Sequence, residues 1–306
     1  MATDGIDKDI WMFAAGCAAR AAPQTVCCSL HARKLAAVGE SLSSFAVYAD
    51  GSWFSTKRMP EWKAIAMAST QNGGSSAWLV VALGEGGQIW EIDTDSKRET
   101  LAQLPRSFGM TNIAAIGGAM HACGMGRVVL QRQVDGSWAD HSAPWPDVDE
   151  GIIGFTDLAE HPTLGTVAVG WQGEVWTKGV PGDWRREDTP TNANFNAVEV
   201  AADGTVYCVG DKGAILRGRN GLWETVISGT SATLQDICCH EDITYVATDF
   251  GIHVLSTQGL VPDSGFDDGD APSTALKVFA VQGVGVCLIG PNDAFLKRDG
   301  TWTRIS

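Results

Sequence analysis

The sequence predicts an all-β fold, a seven-bladed β-propeller with about 42 residues and four antiparallel strands per blade. Three observations carry that expectation. An apolar run closed by Gly recurs along the chain at AAVG (Gly39), VALG (Gly84), HACG (Gly124), VAVG (Gly170), YCVG (Gly210) and CLIG (Gly290), with YVAT (Thr248) in the sixth place, at intervals of 38 to 46 residues. A Gly-x-Trp turn follows most of these, at Gly51-Ser-Trp53, Gly136-Ser-Trp138, Gly182-Asp-Trp184, Gly221-Leu-Trp223 and Gly300-Thr-Trp302. Composition agrees: 36 Gly against 8% aromatic residues, 12 of them Trp, fits many tight turns between short strands.

Each unit opens on a short apolar run, namely TVCCSL, KAIAMA, TNIAAI, FTDLAE, NAVEVA, LQDICC and LKVFAV. Each therefore reads as strand, loop, strand, Gly turn, strand, Gly-x-Trp turn, strand. DTDSKRET and Gly259-Leu-Val261 replace the Trp turn in the second and sixth units. The blades are expected over residues 24-61, 62-109, 110-153, 154-193, 194-232, 233-274 and 275-306, with residues 1-23 as an N-terminal strand that either closes the last blade or pads the first. The glycines of Gly210-Asp211-Lys212-Gly213 are expected where a hairpin needs positive φ. No WD40 signature is present, and neither a β-helix repeat nor helical periodicity fits the spacing.

The stretch VYCVGDKGAILRGRNGLWETVISGTSATLQDI resembles the repeats of the photosystem II stability and assembly factor propellers, relatives of the sialidase-type BNR repeats. Asp50-Gly-Ser-Trp53, Asp135-Gly-Ser-Trp138 and Asp299-Gly-Thr-Trp302 look like degenerate Asp-boxes, the turn motif of those repeats. The resemblance is best in the fifth blade and implies architecture; function has to be argued from residues, because the fold hosts hydrolases, scaffolds and binders alike.

Enzymatic chemistry finds little support. A sialidase needs a Tyr nucleophile with a carboxylate partner, but Tyr48, Tyr207 and Tyr245 all lie inside apolar strand patterns and read as core or strand packing. Nucleophile elbows, phosphate-binding loops and zinc motifs are missing, and the six histidines, at 31, 121, 141, 161, 240 and 253, lack ligand spacing. The acids of PDSGFDDGDAP lack the alternation of a calcium loop. The expectation is a non-enzyme with no catalytic residue, no cofactor and no metal.

The opening MATDGIDKDI lacks the basic start of a secretory signal, and the apolar run from Ile10 to Ala19 is too short to cross a bilayer. Ala14-Ala15-Gly16-Cys17 resembles a lipoprotein cleavage site without its usual Leu. Eight cysteines, none in a C-x-x-C pair, mostly sit in apolar runs, which fits buried free thiols. A cytoplasmic location is expected.

Charge is the informative feature. The chain carries a formal charge of −14, and residues 133 to 177 and 220 to 276 hold eight and nine acids with no Lys or Arg. In a four-stranded blade the connectors between blades and the turns between the second and third strands emerge on one face. That face is expected to carry Trp145, Asp147, Asp149, Glu150, Trp171, Asp211, Asp249, Asp263, Asp267, Asp268 and Asp270, with Glu85 and Asp293 beside them. Acids with exposed aromatics suit the steering and anchoring of a basic protein and repel nucleic acid and anionic membrane. The expected role is an immunity or inhibitor protein that neutralises a basic bacterial toxin, such as a secreted nuclease. An assembly scaffold and a sialidase-like glycan enzyme are the alternatives.

Overall fold

The repeat folds as seven antiparallel sheets arranged as a propeller. The computed structural model describes all residues except 1, 4, 21–24, 72–76, 107–108, 148–150, 152, 180–181, 220 and 267–268. Six sheets have four strands in chain order, as in the fifth blade: inner strand Phe195–Val200, then Val206–Gly210, Ile215–Arg219 and outer strand Leu222–Val226. The second strands are the most buried because they face neighbouring blades on both sides, which is why they read as unbroken apolar runs. Val80 to Leu83 are fully buried in this way.

A cluster of buried side chains fills each gap between neighbours. Phe45 stacks on Trp90 between the first and second blades at a ring distance of 3.9 Å, and Val169, Phe195 and Leu216 fill the gap between the fourth and fifth. The inner strands are also stitched by polar side chains beside regular bulges, at Met110/Asn112, Phe155/Asp157, Phe195/Ala197 and Leu234/Asp236. Thr111 donates to the Phe155 carbonyl at 2.6 Å, Thr156 to that of Phe195 at 2.7 Å, and Asn196 to that of Leu234 at 3.0 Å. Asp157 accepts the Val198 N–H and Asp236 accepts the Val278 N–H, both at 2.9 Å. Every stitch crosses from one blade to the next, so the ring is held by directional bonds as well as by apolar burial.

Two expectations are corrected here. The first blade begins at Trp11, not at residue 24: Trp11–Arg20 is its inner strand and Thr25–Ala32, which contains TVCCSL, is its second. Both strands are apolar and deeply packed, so an apolar run alone does not distinguish them. Gly39 closes no strand; it follows a one-turn helix, Arg33–Ala36, inserted after the second strand. The ring closes by packing of whole blades, with Phe13 and Trp53 against Ile289 and Leu296. The Phe13 N–H donates to the Pro291 carbonyl at 3.0 Å and Trp53 Nε1 to that of Ile305 at 2.5 Å. Cys17 lies buried inside the inner strand, and all eight cysteines are free. Burial raises the Cys27 and Cys123 thiols to about 12.

Candidate functional site, the front face

The interblade connectors and the turns between second and third strands interlock on one side of the ring, called here the front face. Main-chain bonds tie each turn to the connector beside it. Gly126 N–H reaches the Ile153 carbonyl at 2.9 Å, Gly173 that of Ala193 at 2.7 Å, Asp211 that of Asn194 at 3.0 Å, and Gly213 that of Ala232 at 2.8 Å. These bonds dictate the turn sequence. In Gly210-Asp211-Lys212-Gly213 the positive φ values fall at Lys212 and Gly213, 56° and 74°, whereas Gly210 is extended. Gly210 is required because a Cβ there would stand 1.9 Å from the Asn194 carbonyl oxygen. The expectation of positive φ at both glycines is corrected accordingly.

Trp145 is a prominent aromatic of this face, 65% exposed, and its ring lies across Gly126, where any Cβ would collide with it. The connector beneath it is braced by a buried ion pair: Arg127 meets Glu174 through Nε and Nη2, at 3.1 and 2.5 Å, with 3% and 1% of the side chains exposed. Arg127 also donates to the Pro144 carbonyl at 3.1 Å and lies 4.8 Å over the Trp176 ring. Trp145 therefore projects from a fixed backbone, which lowers the entropy cost of contact.

Asp211 accepts amide hydrogens from Asn194 and Asn196 at 3.2 and 3.3 Å, and Asp249 accepts from Gln235 Nε2 at 2.7 Å. Among the described residues neither carboxylate meets a countercharge. Asp147 is exposed and Trp171 is half-buried in the turn beside the Trp145 connector. Asp270 pairs with Arg304 at 2.7 Å, and Arg304 also meets Asp293 at 3.4 Å. Burial raises the Asp293 carboxyl above its ordinary value, and Arg304 offsets only part of that rise. Asp149, Glu150, Asp267 and Asp268 lie outside the described residues.

Asp263 departs from expectation. Its carboxylate turns inward, 9% exposed, to meet Lys297 Nζ at 2.5 Å and Trp302 Nε1 at 3.0 Å. The two acid-rich windows also disperse in space. Asp157 and Asp236 sit on inner strands, while Asp135, Glu241 and Asp242 lie at turns of the opposite face. Near the axis, burial raises Asp157 to about 6 and Glu199 to about 8, the latter helped by the charge of Asp236. Burial works against the charged form of Lys277, but the charges of Asp236 and Asp157 outweigh it and raise its value.

The structure adds residues that the sequence reading passed over. Phe250, 74% exposed, stands in the turn beside Asp249, and Ile10, Val38, Met59 and Ile227 also expose large apolar side chains on or beside the front-face loops. The clue for Phe250 was its place in a two-residue turn between buried strands. Charge on the face is uneven. The loops of the first two blades, counting residues 5–10 that lead into the first inner strand, carry Lys8, Arg33, Lys34, Lys57, Arg58, Lys63 and Arg106 against Asp7, Asp9, Glu40, Glu61 and Glu85. Those of the other five blades carry 13 acids by sequence against Arg127 and Lys212.

Fold and site together define a seven-bladed propeller that gathers exposed aromatics and oriented carboxylates on one rim of loops, an arrangement suited to a protein partner. No family model matches the chain. It is 30% identical over 231 residues to the immune protein Tsi7 of Pseudomonas aeruginosa, an alignment that spans 73% of this chain and 74% of that protein, and the chain belongs to that family. Among solved structures it is similar to U3-55K, with a TM-score of 0.64 at 10% identity over 95% of this chain and 91% of that one. It is also similar to YCF48 bound to a D1 peptide, with a TM-score of 0.61 at 14% identity over 85% and 87%. These two likenesses are of fold, and the second agrees with the resemblance to assembly-factor propellers.

Proposed function

We propose that this protein is an immunity protein that neutralises a basic bacterial toxin by binding it, without chemistry of its own, through the acidic arc of the front face. The observation that carries the reading is its membership of the Tsi7 family. The mechanism follows from the arc: Asp147, Asp211 and Asp249 steer a positively charged partner toward the ring, and Trp145 and Phe250 supply the apolar area that holds it. Because Asp211 and Asp249 are held by neutral amides, their charge is available to the partner's Lys and Arg. The cytoplasm is the proposed place of action, where such a toxin would reach its target.

Co-expression with candidate basic bacterial toxins tests the proposal. The wild-type protein restores growth, and a variant carrying Asp211→Lys and Asp249→Lys does not. A wild-type protein that gives no protection contradicts the reading.

A further inference from the structure

The cleft between the third and fourth blades repeats the construction of the cleft between the sixth and seventh, with one group missing. In the latter, Lys297 stands across the strand pair from Trp302, with its Nζ 5.4 Å from that ring and 5.0 Å from the Tyr245 ring. Asp263, the residue that follows the preceding blade's outer strand, supplies the carboxylate that both Lys297 and Trp302 contact. In the other cleft, Lys178 stands across from Trp184, with Nζ 5.7 Å from its ring. His121 holds the place of Tyr245 as third residue of the preceding blade's second strand, and His141 holds the place of Asp263. The ammonium thus meets an imidazole, with Nζ 3.4 Å from His141 Nδ1, and Trp184 Nε1 turns to the His141 carbonyl at 2.7 Å. Among the described residues no carboxylate pairs with Lys178. A cavity of about 350 Å³ remains, lined also by Gln131 and Thr166 and by no acid.

We propose that this cleft binds a small free carboxylate, which takes the place that Asp263 fills in the sister cleft, with Lys178 as its counter-ion, the two histidines as further donors and Trp184 as an apolar wall. A cavity of this size admits a whole small molecule, more than the tip of one acidic side chain requires. The site is independent of the front face.

Proton linkage gives the binding a signature. Burial holds His121 below its ordinary value, and burial together with Lys178 does the same for His141, so both imidazoles are neutral in the empty cleft. The nearby acids are committed elsewhere: Asp140 to Arg106 at 3.1 Å and to the Ser142 N–H at 2.9 Å, and Glu160 to the Gly117 N–H at 2.9 Å. A bound carboxylate favours the imidazolium forms, so affinity rises as pH falls toward the lowered values that the two imidazoles have in the empty cleft.

Calorimetric titration of the full chain with acetate and with benzoate tests the assignment. Binding is expected to weaken by about tenfold or more in Lys178→Met. It is expected to vanish in His141→Asp, which supplies the carboxylate from within and raises the unfolding temperature. Heats that are absent at millimolar ligand, equal affinity in Lys178→Met, or undiminished binding in His141→Asp would each overturn it.

Discussion

The loops of the first two blades and those of the other five share one face and one backbone design, yet they differ in charge. The first group has seven Lys and Arg against five acids and exposes Val38 and Met59; the second has 13 acids against two cations and exposes Trp145 and Phe250. A propeller fixes where loops emerge and leaves their content free, so one face can hold two surfaces of opposite sign. For a basic partner the boundary between them sets orientation, since the same contact displaced by two blades would meet like charge.

The comparison breaks first under charge reversal. Asp211→Lys with Asp249→Lys is expected to weaken toxin binding about 100-fold or more, whereas Lys57→Glu with Arg58→Glu changes it about threefold or less. Surface plasmon resonance reads both, and equal losses would erase the distinction between the two regions. A ring that keeps both regions in place depends on its inner stitches. Asp157→Ala leaves the Val198 N–H and the Asn112 amide without their acceptor, and chemical denaturation should show a loss of about 2–3 kcal/mol. Trp145→Ala and Phe250→Ala should each reduce toxin affinity about tenfold with little change in unfolding temperature, against a smaller effect for Met59→Ala.

The smallest effect sharpens the account of the axis. Glu199 has a folded-state value near 8, well above its ordinary one, so the native state binds its proton more tightly and stability falls as pH rises from about 4.5 to about 8. Glu199→Gln should then stabilise the protein by about 1–2 kcal/mol at pH 8 and by almost nothing at pH 4.5. Thermal unfolding across that range checks it, and a gain that grows on acidification would have the wrong sign.

Blade number and strand order were legible because the Gly-x-Trp turns and apolar second strands recur in the linear sequence. The first blade was misplaced by its inserted helix and by two consecutive strands that are both deeply packed, Trp11–Arg20 and Thr25–Ala32. Asp211 and Asp249 could be placed on the front face by topology alone. Asp263 could not be recognised as buried, because its partners Lys297 and Trp302 arrive from the next blade, 34 and 39 residues away. The acid windows fell apart for a related reason. Consecutive residues of a blade visit the axis, both faces and the rim, so charge clustered in sequence is divided among four environments.

Hydrogen exchange on the complex with a basic toxin that the protein neutralises tests the central claim most directly. Protection is expected at 143–147, 211–214 and 249–250, with 33–42 and 56–63 unchanged. Protection confined to the opposite face, at 117–118, 203–204 and 241–242, would contradict it.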